Sequence, residues 1–291
     1  MSGALAISLN GKLLTGEKIN QAGLTVADRG ALLGDGLFET LPIWNGQIIW
    51  MDEHLDRLRQ GLSVLGIDIP RLDLLKAVEA LLPVAVDQGG NGIVRLTITR
   101  GEGGRGLLPP VTPSPTILAS LSPYPQTMAF ADVTLATSTI RRNEGSPLSR
   151  LKSLGYLDNI LATKEASDKG AEDALIFNNQ GHACCSTIAN LFAAFDKTIV
   201  TPPLKDGVLG GIMREKLFEG LSSHGFQIAE QSLTAEQLKK ADGLFLTNSL
   251  RIIRRVTRLD NQVFETSKND VVAQCQAIMR AHLQEQFAIT L

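Results

Sequence analysis

Apolar and polar positions alternate through the first fifty residues in two stretches, each interrupted by an Asn-Gly pair. Residues 4–14 (ALAISLNGKLL) turn at Asn10-Gly11, and residues 37–50 (LFETLPIWNGQIIW) turn at Asn45-Gly46. Asn-Gly tolerates the positive φ that a two-residue hairpin needs, so both stretches predict hairpins. The period then changes. Leu55, Leu58, Leu62 and Leu65 recur at helical spacing in residues 52–66, with Asp52 as the expected N-cap and Gly66 as the stop. Residues 71–90 predict a second helix that ends at Gly89-Gly90. The β-branched and aliphatic runs at 92–101 and 116–121 predict core strands.

Pro123 and Pro125 lie in a stretch that reads as a linker, residues 123–128. The expected organisation is an N-terminal α/β domain over residues 1–122 and a C-terminal domain over 129–291. The second half opens with a strand, residues 132–140, followed by a helix that stops at Gly170. Hairpins are expected around Asn179-Gln180-Gly181 and Asp196-Lys197, and a helix follows Gly210-Gly211. Thr234 and Gln237 stand in capping-box positions, residues 243–249 read as a strand, and a last helix covers 271–287.

Composition narrows the class. With 44% hydrophobic and 20% charged residues, the 291-residue chain can bury one large core or two medium ones. A net charge of −2 argues against a nucleic-acid partner. Three cysteines, two of them adjacent, provide neither a disulfide framework nor a metal-ligand spacing, so no metal is expected and a reducing compartment is. No signal peptide and no apolar run long enough to span a bilayer is visible, which predicts a cytoplasmic protein without a membrane partner.

The candidate chemistry centres on Lys152, in the run SPLSRLKSLGYLDNILATKEASDKG. A lysine held where it can be neutral condenses with carbonyls, although a lone lysine is more often a solvated charge. A second element is LKDGVLGGIMREKL. Glycines there open a helix whose first amides, Ile212 and Met213, suit a phosphate, although most such helix starts bind nothing. Asn248 and Ser249, ending the strand GLFLTNS, form a polar turn or a second donor set. Arg57, in EHLDRL, offers a guanidinium fork or is a surface helix residue.

Six ordered segments together resemble the fold-type IV, class IV enzymes that use pyridoxal 5'-phosphate (PLP). They are ADRGALLGDGLFETLPIWNG, EHLDRL, ITRGEGGRG, RLKSLGYLDNILATKEA, DALIFNNQGHACCSTIANLF and LGGIMR. The family includes branched-chain and D-amino-acid aminotransferases, (R)-amine transaminases and aminodeoxychorismate lyases. The resemblance implies a two-domain α/β fold, with a small N-terminal sandwich and a larger C-terminal pseudo-barrel that carries Lys152, and it implies a homodimer. It also implies Lys152 as the Schiff-base lysine. Arg57, Gly211, Ile212, Met213, Asn248 and Ser249 would lie around the phosphate, and Tyr156 would face the ring hydroxyl. Phe38 and Arg105 would line the substrate, although Arg105 reads equally as a turn residue between glycines.

GEGGRG and the Met213 of LGGIMR look lyase-like within the family. The lyase reaction releases pyruvate from 4-amino-4-deoxychorismate and leaves 4-aminobenzoate, a folate precursor. The alternatives are a class IV aminotransferase acting on branched-chain or D-amino acids or (R)-amines, and a PLP-binding protein with little catalysis. The run Arg251, Arg254, Arg255 departs from the family pattern, either as a gate for an anionic substrate or as a solvated strand edge. The departure with most consequence is Cys185. It stands five residues before Asn190, where the family carries the Glu that pairs with the pyridine nitrogen. A thiol is a weak hydrogen-bonding group and a poor anion at neutral pH. Cys185 therefore fits an elimination, driven by the bond it breaks, better than a transamination. It also fits a cysteine that merely packs.

Overall fold

The structure, a computed structural model, describes residues 3–265 and 270–289. It divides into two compact units. One comprises the chain up to Pro125 together with Leu151–Gly155, and the other comprises Gln126–Arg150 and the chain from Tyr156 onward.

The first unit is an antiparallel sheet of β1 (Ala6–Leu9), β2 (Lys12–Thr15), β3 (Gly36–Trp44), β4 (Gln47–Ile48), β5 (Gly92–Thr99) and β6 (Thr116–Ser122), in the order β2-β1-β6-β5-β3-β4. Its helices are α1 (Arg29–Leu33), α2 (Met51–Leu65), α3 (Arg71–Glu79) and α4 (Leu82–Asp87). Both Asn-Gly hairpins form, with Asn10 and Asn45 at positive φ. Leu55, Leu58 and Leu62 of α2 are buried against Leu37, Leu41 and Ile43 of β3. Each such leucine contributes about 1.5–3 kcal/mol. Helix and strand approach closely at Gly61, where a Cβ would stand 2.6 Å from Leu37 Cδ1.

Two local expectations are corrected in this unit. The N-cap of α2 is Trp50, in the left-handed region, and Asp52 lies inside the first turn, where it pairs with Arg71. The helix predicted over 71–90 is two helices. Pro83 lacks an N–H, so the chain breaks at Ala80-Leu81 and α4 restarts with the proline in its first turn. Gly66 ends α2 as expected, at φ 64°.

The second unit contains β7 (Val133–Arg142), β8 (Asp173–Asn178), β9 (Ala183–Ser186), β10 (Asn190–Phe195), β11 (Thr198–Thr201), β12 (Gln227–Glu230), β13 (Gly243–Asn248), β14 (Ile252–Leu259) and β15 (Gln262–Val263). Its helices are α5 (Leu157–Asp168), α6 (Ile212–Ser222), α7 (Ala235–Lys239) and α8 (Val271–Phe287). Six strands close on themselves in the order β10-β13-β14-β7-β8-β9, the last pairing back to β10 through Asn190 and Cys185. Strands β11 and β12 extend from β10, and β15 adds to β14. Leu135, Leu175, Leu191, Leu244 and Val256 belong to one core, while Ala162 and Ala166 of α5 pack on Ala136, Ala174 and Ile176. The capping box at Thr234 and Gln237 is present.

The Lys152 segment departs from expectation. The resemblance implies the C-terminal domain for it, but Phe38 N donates to Lys152 O (2.9 Å), Leu154 N donates to Gly36 O (3.1 Å), and Ser153 bridges Leu37. The start of β3 has backbone groups available at its edge, and residues 151–155 satisfy them, so Lys152 belongs to the first unit. The basic run is also resolved. Arg254 donates to the carbonyls of Ala131 (3.0 Å) and Asp132 (2.6 Å), and Arg255 pairs with Asp270 (2.6 Å). These two arginines tie β14 to its surroundings instead of gating a ligand or lying solvated.

Candidate functional site

In the first unit the site is built around a charge in an apolar row. Alternation along β3 puts Glu39 on the face that carries Leu37, Leu41 and Ile43, and its side chain is only 1% exposed. A buried carboxylate persists only when paired. The pairing comes from α2, where His54 and Arg57 stand three residues apart on one face. His54 Nδ1 lies 2.8 Å from Glu39 Oε2, and Arg57 donates through Nε to Oε1 (2.8 Å) and through Nη2 to Oε2 (2.6 Å).

Burial alone would push the Glu39 carboxyl up. The Arg57 charge and the hydrogen bonds from His54 and Arg57 outweigh it and hold the carboxyl far below the usual range. Burial also lowers His54, against the pull of Glu39, so the neutral ring donates from Nδ1, and its buried Nε2 has no hydrogen-bond partner.

Lys152 lies beside this group. Its Nζ sits 4.3 Å from the centre of the Phe38 ring, and the Arg95 guanidinium stacks on the same ring at 3.7 Å. Burial lowers the Lys152 ammonium to about 8; Glu39 opposes the shift, and Arg57 and Arg95 add to it. At neutral pH an appreciable share of the amine is therefore unprotonated, the form that attacks a carbonyl. Arg105 is exposed in the loop after β5. Arg29 fixes that loop by donating to the carbonyls of Gly106 (3.1 Å) and Leu107 (2.9 Å).

In the second unit the expected residues converge on one end of the barrel. Cys185 pairs with Asn190 across β9 and β10, and Asn190 pairs with Thr247 near the end of β13. Asn190 Nδ2 donates to Leu209 O (2.8 Å), and a Cβ on Gly211 would stand 1.9 Å from Asn190 Oδ1. Only glycine fits there, directly before α6. No side chain caps α6, so its first-turn amides at the buried Ile212 and Met213 are left for another acceptor. That is the arrangement a phosphate requires. Ser249 is buried at the same end. Asn248 differs from its expected role, because its Oδ1 accepts from the amides of Leu250 and Arg251 and its Nδ2 donates to Ile188 O. The side chain therefore orders the turn.

Tyr156 precedes α5, which is anchored by a hydrogen bond from Asn159 Nδ2 to Thr187 O. Cys185 is buried, and its sulfur accepts from Arg142 Nη2 at 3.5 Å. Cys184 donates to Asp206 O (3.1 Å), and burial pushes its thiol up. A surface cavity of about 430 Å³ bordered by Phe177, Leu238, Lys239 and Asp260 shares no residue with either group. Among the described residues no His, Cys, Asp or Glu cluster could hold a metal, and no helix is long and apolar enough to cross a membrane.

A lysine tuned toward neutrality and an uncapped, glycine-opened helix start are two of the features the six segments imply. The sequence pattern of the family described as "Amino-transferase class IV" matches residues 36–259. The chain belongs to the class IV aminotransferases. Members of this family depend on PLP, and the residues present fit that cofactor's amine-reactive carbonyl and its phosphate. A putative branched-chain-amino-acid aminotransferase of Methanocaldococcus jannaschii is 32% identical over 91% of this chain and 91% of that protein. Aminodeoxychorismate lyase of Bacillus subtilis is 27% identical over 96% and 94%. The crystal structure of 4-amino-4-deoxychorismate lyase from Pseudomonas aeruginosa matches with a TM-score of 0.83 and 31% identity, covering 97% of this chain and 100% of that one. The class IV fold, a small α/β unit and a closed-barrel unit, is the fold of this chain.

The sequence reading missed Glu39, His54, Arg95 and Arg142. Glu39 left a signal, an acid in phase with core leucines opposite a helix with His and Arg three apart. Arg95 left another, a cation interrupting the apolar run of β5. Arg142 left none, because its proximity to Cys185 depends on how the barrel closes.

Proposed function

We propose that this class IV enzyme is a PLP-dependent lyase of the aminodeoxychorismate type, which converts 4-amino-4-deoxychorismate into 4-aminobenzoate and pyruvate. The observation that carries the reading is the guanidinium of Arg142, in place of a carboxylate, against Cys185 at the family's acid position. When bound, PLP supplies a carbonyl for the substrate amine and a ring that accepts electrons.

The chain's own residues do the rest. Lys152 would hold the cofactor, and its unprotonated Nζ is the base. Nζ takes the proton from the amine-bearing ring carbon as the C–O bond to the enolpyruvyl group breaks, and the ammonium so formed gives that proton to the methylene of the departing group, which leaves as pyruvate. With its ammonium near 8, Nζ can both take and give that proton near neutral pH. Glu39 keeps Arg57 and Lys152 from facing each other uncompensated. The Ile212 and Met213 amides and Ser249 would hold the phosphate together with Arg57, Gly211 lets the start of α6 pass Asn190 Oδ1, and Asn248 shapes the turn beside Ser249. Tyr156 would orient the ring hydroxyl, and Cys185 would face the ring nitrogen. Phe38 supports the lysine, while Arg95 and Arg105 meet the substrate carboxylates.

The enzyme works as a cytoplasmic homodimer. Leu32 and Leu33 of α1 and Leu107 and Leu108 of the loop tied to α1 by Arg29 are exposed, which supports a second copy covering them. A second reading, an aminotransferase, is favoured by the 32% identity to the Methanocaldococcus protein. The test is release of 4-aminobenzoate by the purified, PLP-loaded enzyme. The lyase reading requires turnover that is lost in Lys152→Ala. Absence of 4-aminobenzoate, together with rapid conversion of the cofactor to its pyridoxamine form by simple amino acids, establishes the second reading instead.

A further inference from the structure

The Arg142–Cys185 contact has its own electrostatics. Arg142 ends β7 and crosses to β9, where Nη2 reaches Cys185 Sγ at 3.5 Å. The turn after Leu204–Asp206 packs on it, since a Cβ on Gly207 would lie 2.9 Å from Arg142 Cγ. Arg142 Nε is buried without a hydrogen-bond partner. Among the described residues no carboxylate forms an ion pair with this guanidinium. Of the neighbouring acids, Glu144 turns to the amide and side chain of Asn179 (3.2 and 3.4 Å), while Asp206 bears on Cys184. Tyr156 and Cys184 are the other titratable groups that bear on Arg142, and Val208 packs on the two cysteines. A guanidinium does not deprotonate in a protein. The end of β9 therefore presents a fixed positive charge with no carboxylate paired to it.

We propose that Arg142 sets the charge state at the ring-nitrogen position and keeps the pyridine nitrogen of bound PLP unprotonated. This rests on the reading that Cys185 faces that nitrogen. A positive charge within a few ångströms disfavours a second one, as a carboxylate there would favour it. An unprotonated ring withdraws electrons weakly, so the enzyme is biased toward reactions whose driving force lies in the bond being broken. Arg142 acts as a positioning residue through the field it holds beside Cys185.

The experiment is 15N NMR of the enzyme reconstituted with PLP labelled at the ring nitrogen, titrated from pH 5 to 9. Cofactor loading is checked by absorbance and folding by near-ultraviolet circular dichroism. The wild-type nitrogen is expected to stay unprotonated at pH 7. Arg142→Met should raise its pKa by at least about one unit, Cys185→Glu should protonate it at pH 7, and Arg142→Lys, which keeps the charge, should leave it unprotonated. A protonated nitrogen in the wild type or in Arg142→Lys overturns the proposal. If Cys185→Glu moves the titration and Arg142→Met does not, the role of Arg142 fails while the placement of Cys185 stands. If neither moves it, the placement of Cys185 is wrong and the proposal falls with it. Should Arg142→Met not fold, Arg142→Gln against Arg142→Lys makes the same comparison of neutral and charged side chains.

Discussion

Replacing Glu39 with Gln removes one charge from the centre of the first unit's polar group and keeps its volume. The carboxylate is buried and accepts from both His54 and Arg57. Removing one partner of a buried ion pair costs about 3–5 kcal/mol. The Arg57 side chain is 20% exposed, so water recovers part of that loss. The lower end, about 3 kcal/mol, applies, and it corresponds to a fall in melting temperature of about 5 °C for a chain of this size.

The sign with pH follows from the direction of the shift. The folded Glu39 carboxyl titrates below its ordinary value, so its stabilisation is complete above the unfolded value of about 4.3 and is lost as pH falls through the folded value. The gap between the two proteins should hold from pH 6 to 8 and narrow below about pH 4. Glu39 also holds Lys152 up against burial, Arg57 and Arg95. In Glu39→Gln the midpoint of the lysine should move below about 8 by roughly one unit. Scanning calorimetry gives the first quantity, and the pH dependence of covalent PLP capture by the apoenzyme, followed by stopped-flow absorbance, gives the second. A variant that melts within about 2 °C of the wild type and captures PLP with an unchanged midpoint would refute the account of this group.

Gly211→Ala introduces a Cβ at 1.9 Å from Asn190 Oδ1, so the start of α6 must shift; PLP affinity, measured by equilibrium dialysis, should fall at least about tenfold, about 1.4 kcal/mol. Arg29→Ala frees the carbonyls of Gly106 and Leu107 and removes one of the two guanidinium partners, Arg29 and Arg100, that hold the Asp35 carboxyl low against burial; cleavage of the loop around Leu107 in limited proteolysis should speed up several-fold. Light scattering should return about twice 31.3 kDa, whereas a fully active particle of 31.3 kDa contradicts the homodimer.

Much of the fold is legible because its signals are local. The Asn10-Gly11 and Asn45-Gly46 turns, the leucine spacing of α2, its stop at Gly66 and the Thr234 capping box depend on neighbours in sequence. The errors mark where distant contacts or a single proline prevail. Pro83 split a helix whose apolar period was continuous, and the edge of β3 captured Lys152 from the half of the chain to which its neighbours belong. The candidate site was legible as a set of residue types in order. Ile212, Met213 and Gly211 stand where the glycines placed them. Asn248 could not be assigned from sequence, because its amide serves its own turn. Arg142 and Cys185 are 43 residues apart and meet only because β7, β8 and β9 are adjacent staves of one barrel.

In the proposed reading, Lys152-bound PLP works without a carboxylate at its ring nitrogen and therefore as a lyase. Single-turnover conversion of loaded cofactor to its pyridoxamine form in wild type and Cys185→Glu, run beside 4-aminobenzoate release in both, decides this. The account predicts slow conversion in the wild type, a clear acceleration with simple amino acids in the variant, and a much smaller change in 4-aminobenzoate release. Equal conversion rates in the two proteins, with cofactor bound in each, would contradict it.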